Sequence, residues 1–149
     1  NLVLNNYISD AVSKYNVQAT EQLVFAEDFT PADKDNGHYR NEFRLTAYKD
    51  AVGKSYLLGD KGVDIIASQT IFGDINCRVY TNNTSLDQVI ALLQGFSPIL
   101  DKALTAVELQ ETINEVSTKR TANGYYFGEL GIVLLGNDEM GYKLMLKND

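Results

Sequence analysis

Residues Ile75–Phe96 read INCRVYTNNTSLDQVIALLQGF, and the chain changes period in the middle of them. From Ile75 to Thr81 apolar and polar residues alternate: Ile75, Cys77 and Val79 fall on one side, Asn76, Arg78 and Tyr80 on the other. Period two is the mark of a strand with one face in a core. From Ser85 the spacing becomes helical. Ser85 and Gln88 have the separation of a reciprocal N-terminal cap, and Leu86, Ile90 and Leu93 then recur at helical intervals. Thr84 therefore divides a strand-rich part of the chain from a helical one.

Working towards the N-terminus, Ser55–Leu58 and Val63–Phe72 read as strands broken by a turn at Gly59-Asp60-Lys61-Gly62. Tyr39–Tyr48 alternates cleanly, with Phe43 and Leu45 on one side and Arg40, Glu42, Arg44 and Tyr48 on the other. The Asn36-Gly37 pair before it is a hairpin signal, and Gln22–Phe29 is an earlier strand. Leu4, Ile8, Ala11 and Tyr15 predict an amphipathic helix over Leu2–Tyr15, with Asn16 as its stop. Working towards the C-terminus, Gly95 is expected to end the helix that Ser85 caps, and Ser97-Pro98 to begin a second. Thr105 and Glu108 repeat the capping pattern ahead of Leu109, Ile113 and Val116, with Lys119 and Arg120 complementing the dipole at the far end. Asn123-Gly124 stops that helix, and Tyr125–Leu135 with Tyr142–Leu146 make a last hairpin, the second strand showing one face to water. No regular strand–helix–strand alternation occurs. The expected fold is one α+β domain over residues 1–149: a mostly antiparallel sheet, an N-terminal helix, and a two- or three-helix segment packed on one face.

Composition narrows function mainly by exclusion. The 149 residues carry 13 basic and 20 acidic side chains, a net −7 that argues against non-specific nucleic-acid binding. With 44% hydrophobic and 22% charged residues the chain is neither disordered nor fibrous, and no apolar run approaches the ~20 residues that span a bilayer. One cysteine and one histidine cannot build a disulfide or a His/Cys zinc cage. The chain begins at Asn1, the start that removal of a leader leaves, as does excision from a longer protein. Rich in Asn, Lys, Asp and Tyr, with no Trp, the sequence resembles the extracytoplasmic domains of Gram-positive bacterial lipoproteins of unknown function. That resemblance is spread over the whole chain and rests on no motif. It implies a cell-surface or secreted location, with a lipid anchor upstream of Asn1; the cytoplasm is the alternative.

Several motifs fail on inspection. Gly53-Lys54-Ser55 ends like a phosphate-binding loop, but the position that needs a glycine is Tyr48, and a polar turn between strands is expected instead. Asp33-Lys34-Asp35-Asn36-Gly37 opens like a calcium loop, yet its glycine is one place early and the twelfth position is Arg44. Gly128, Gly131 and Gly136 do not spell a dinucleotide fingerprint. Asn82-Asn83-Thr84-Ser85 holds overlapping glycosylation acceptors but reads as a helix cap. His38 lacks a nucleophile that the sequence can pair with it, and Cys77 sits on the apolar side of its strand as a small buried hydrophobe.

What remains is a polar sheet face. Arg40, Glu42 and Arg44 share one side of one strand, and Arg78 and Tyr80 share one side of another. If the strands are neighbours, guanidinium forks and phenols line a face open to solvent, suited to a carboxylate, a phosphate, a sugar or a peptide. The leading expectation is thus a non-catalytic extracytoplasmic binding domain for a small-molecule, glycan or protein ligand, without cofactor or metal. Two alternatives stand beside it. One is a small enzyme using Glu42 or Glu129 with a tyrosine or His38. The other is an assembly subunit whose apolar strand Ile132–Leu135 is covered by a partner.

Overall fold

The computed structural model describes residues 1–31, 48–100, 105–118, 131–137 and 141–147. In chain order the elements are α1 (Leu2–Gln18), β1 (Leu23–Phe29), β2 (Tyr48–Leu58), β3 (Lys61–Thr70), β4 (Ile75–Thr84), α2 (Leu86–Phe96), α3 (Ala106–Thr118), β5 (Gly131–Asn137) and β6 (Gly141–Lys147). Among the described residues the strands form one six-stranded sheet in the order β1-β2-β3-β4-β6-β5, and every neighbouring pair is antiparallel. The α+β class with an antiparallel sheet, expected from the change of period at Thr84, is the observed one.

One face of the sheet carries the main core. Leu58, Val63, Ile65, Ala67, Cys77, Val79, Leu144 and Leu146 meet Leu4, Ile8, Ala11, Val12 and Tyr15 of α1, and Val89, Leu92, Leu93 and Phe96 of α2. Each set repeats at the period of its element, two in the strands and three or four in the helices, which is why this face closes. Leu109 of α3 is packed against its margin. Cys77 is among these buried side chains, and burial pushes its thiol up to about 12, so it stays protonated and inert.

Both expected caps form. Ser85 Oγ accepts from the Gln88 backbone N–H at 3.3 Å while Gln88 Oε1 accepts from the Ser85 N–H at 3.4 Å. Glu108 and Thr105 do the same at 3.0 and 3.2 Å. At the start of α1, Asn1 Oδ1 accepts from the N–H groups of Val3 and Leu4.

Four expectations about boundaries are corrected. Asn16 does not stop α1, which runs on to Gln18; its carboxamide instead binds both backbone groups of Leu23, at 3.0 and 2.8 Å, and so ties the helix to β1. β3 ends at Thr70, before the turn that carries Ile71 and Phe72. Gly95 lies inside α2, where a Cβ would overlap the Tyr15 ring; the missing side chain lets α1 and α2 approach. Gly53-Lys54-Ser55 is not a turn but the middle of β2, where the Phe29 ring lies against Gly53.

The last point is testable, because two effects of opposite sign meet there. Alanine in a strand is favoured over glycine by about 0.5–1 kcal/mol, but at position 53 it would push the Phe29 ring away. Gly53→Ala is expected to lower stability in urea by about 1 kcal/mol net, and to become neutral or stabilising when Phe29 is also alanine. Equal effects in both backgrounds would show that the ring does not set the residue.

Candidate functional site

Of the sequence-predicted site residues, Arg40, Glu42 and Arg44 lie outside the described residues, as do His38, Glu129 and the Asp33–Gly37 segment. Arg78 and Tyr80 point away from Cys77 and Val79, as alternation requires, but the open face expected around them is corrected. Arg78 is 4% and Tyr80 7% exposed, and on the same face Ile66 and Ser68 are also buried. The physical reason is composition: Ile66, Phe29 and Met145 bring apolar surface to this side, and they gather with Tyr80 into a second small core. Arg78 is held within it by Tyr48. Its Nη2 donates to the Tyr48 hydroxyl at 3.0 Å, and its guanidinium carbon lies 5.9 Å from the centre of that ring. β2 and β4 are not neighbours, since β3 lies between them, so this contact reaches across a strand.

Among the described residues a concave surface lies elsewhere. A half-open groove of about 390 Å³ is formed where the C-terminal end of α1 and the corner into β1 face α2. Its floor is Tyr15, Leu58 and Gly95, all buried; its walls include Gln18, Thr20, Glu21, Asp87 and Gln94, all exposed. The volume falls within the range of about 300–1,000 Å³ usual for small-ligand sites.

Local sequence explains why the groove keeps its shape. Tyr15 stacks on Phe96 with ring centres 4.7 Å apart and planes 13° apart, so the floor is fixed by a packed aromatic pair. Its phenol is pushed above its ordinary range by burial first and by the nearby Glu21 carboxylate second, and it stays neutral at physiological pH. Gln18 Nε2 donates to the Gly95 carbonyl at 2.9 Å, bridging the two helices. Gln22 Nε2 donates to the carbonyls of Asn16 and Ala19, at 2.7 and 3.0 Å, closing the end of α1. Gln88 is committed to the cap of α2 and to the Leu58 carbonyl. The floor and the Gln18 and Gln88 side chains are therefore held in place by the fold itself.

What the groove offers chemically follows from its walls. Two carboxylates, three carboxamides and a threonine hydroxyl line it, and among the described residues no Lys, Arg or His does. Such a set accepts hydrogen bonds more than it donates them, and it disfavours anions. Sequence reasoning missed these residues because Gln18 and Gly95 are 77 positions apart and share no motif. Among the described residues no group of three His, Cys, Asp or Glu is placed to hold a metal ion, and no helix is long and apolar enough to cross a membrane. Comparison with known proteins finds no matching family model, no matching curated protein and no matching solved structure.

Proposed function

We propose that the chain is a non-catalytic binding domain working outside the cytoplasm, and that its groove takes a neutral, hydroxyl-rich ligand of the glycan class. The observation that carries this is the groove walled by Gln18, Thr20, Glu21, Asp87 and Gln94, with no cation among the described residues that line it. Sugar hydroxyls donate to carboxylates and to carboxamide oxygens, and Gln94 Nε2 supplies a donor in return. An extracytoplasmic location is supported by the resemblance in composition to lipoprotein domains. The single thiol, buried and held protonated, suits an oxidising medium in the same way.

The test is a nuclear magnetic resonance titration with a panel of neutral oligosaccharides, with inorganic phosphate as the anionic control. Saturable shifts are expected at the backbone amides of Thr20, Glu21, Asp87 and Gln94 with a neutral sugar, and none with phosphate. Glu21→Lys and Asp87→Lys should each weaken binding about tenfold or more, the equivalent of one lost charge-assisted hydrogen bond. Saturation by phosphate, or shifts confined to another surface, would overturn the assignment. Turnover of the sugar, abolished by Glu21→Gln, would replace it with the enzyme reading.

A further inference from the structure

The opposite end of the molecule has a different character. Between β3 and β4 the chain turns through Thr70-Ile71-Phe72-Gly73-Asp74, and the two large apolar side chains of that turn stand outside the fold. Ile71 is 64% and Phe72 85% exposed. Hairpin tips ordinarily carry polar residues, and an isoleucine–phenylalanine pair gains nothing from water there.

The start of α1 lies at the same end. Asn1 Nδ2 donates to Asp50 Oδ2 at 2.7 Å, a bond that holds the Asp50 carboxyl below its ordinary range. Asp50 pairs with Gln69, and Tyr48 with Thr70, next to the turn. Leu2 and Val3, 76% and 57% exposed, therefore belong to the pole that carries Ile71 and Phe72. The groove is at the far end of the same elements, where Tyr15 of α1 meets Leu58 of β2.

The backbone of the tip identifies the medium it suits. Gly73 N–H donates to the Thr70 carbonyl at 3.0 Å, and Thr70 N–H to the Asp74 carbonyl at 2.9 Å. Thr70 Oγ1 accepts from the N–H groups of Phe72 and Asp74, at 3.3 and 3.2 Å, and Gln69 Nε2 donates to the Gly73 carbonyl at 3.2 Å. Gly73, at φ +92°, takes the left-handed conformation that lets the turn close this way. Both backbone groups of Thr70, Gly73 and Asp74 and the N–H of Phe72 are thus used within the turn, which leaves few for a peptide partner to pair with. A hydrocarbon boundary needs the reverse, polar groups satisfied internally beneath exposed apolar side chains. The tip is also convex, which a bilayer accommodates without a matching pocket. Among the described residues, Asp50 and Asp74 near the tip outweigh Lys49, so these charges give it no attraction to anionic headgroups.

We infer that this pole rests on a neutral lipid surface, with Ile71 and Phe72 entering the headgroup–acyl boundary and Leu2 and Val3 beside them. Contact through so few side chains is weak and reversible, and it directs the groove away from the membrane.

The chain contains no tryptophan, so a single introduced indole reports its own site. Phe72→Trp is expected to give a blue shift in emission on titration with phosphatidylcholine vesicles, undiminished by added salt. Val17→Trp, at an 89% exposed position near the end of α1 away from this pole, should give none. Ile71→Ser in the Phe72→Trp background should raise the lipid concentration at half-saturation several-fold. No shift with Phe72→Trp, or an equal shift with Val17→Trp, would overturn the inference. So would a shift that grows with protein concentration in the absence of lipid, which would assign the tip to a second copy of the chain. None of these results depends on sugar binding at the groove.

Discussion

Phe96→Ala is expected to lower the stability of the domain by about 3–5 kcal/mol, the usual cost of deleting a fully buried phenylalanine. The side chain is 0% exposed and stacks on Tyr15 at 4.7 Å, between α1 and α2. Two losses add. The ring's apolar surface no longer leaves water on folding, and the space it vacates cannot collapse, because Tyr15 lies close over Gly95 on the adjoining side. A domain of this size has about 5–15 kcal/mol to lose, so the melting midpoint should fall by roughly 6–20 °C. The reference is Val17→Ala at an exposed helical position, expected within about 0.5 kcal/mol of the parent. A loss below about 1 kcal/mol for Phe96→Ala would mean that α2 does not pack as described. The same substitution frees Tyr15, the floor of the groove, so any sugar affinity should fall with stability rather than independently of it.

How far the sequence announces this architecture depends on the range of the forces involved. Local signals are reliable: the two capping pairs Ser85/Gln88 and Thr105/Glu108 form, and alternation assigns Cys77 and Val79 to the core and Arg78 to the other side. The errors arise where a distant residue decides. Gly53 reads as turn chemistry until the Phe29 ring is seen against it, and Gly95 reads as a helix end until α1 is brought alongside. Asn16 reads as a stop, and its carboxamide is instead spent on Leu23, seven residues on. The groove belongs to the same class, because its walls come from two separate stretches that only the packing of α1 on α2 brings together. Alternation also has a built-in silence. It says which side of a strand a residue takes, and nothing about whether that side is covered.

Arg78 is where that silence matters most for function. On an open face, Arg78→Ala would remove a ligand contact and leave the fold alone. At 4% exposure, with Tyr48 as a hydrogen-bond and ring partner, the side chain is part of the second core, and its truncation leaves a polar cavity beside Ile66 and Tyr80. The expected cost is about 3–5 kcal/mol, since partners arranged around a buried charge are stranded when it is removed. Tyr48→Phe deletes one hydrogen bond to that charge while keeping the ring, and should cost only about 1.5–3 kcal/mol. Arg78→Met separates charge from volume: it fills much of the cavity and avoids a buried ion, so it should recover part of the loss that alanine incurs. The ordering parent, Tyr48→Phe, Arg78→Met, Arg78→Ala in urea midpoints is the signature of a structural arginine. An unchanged midpoint for Arg78→Ala would show the opposite, a side chain free of the core, and would return this face to the list of binding surfaces.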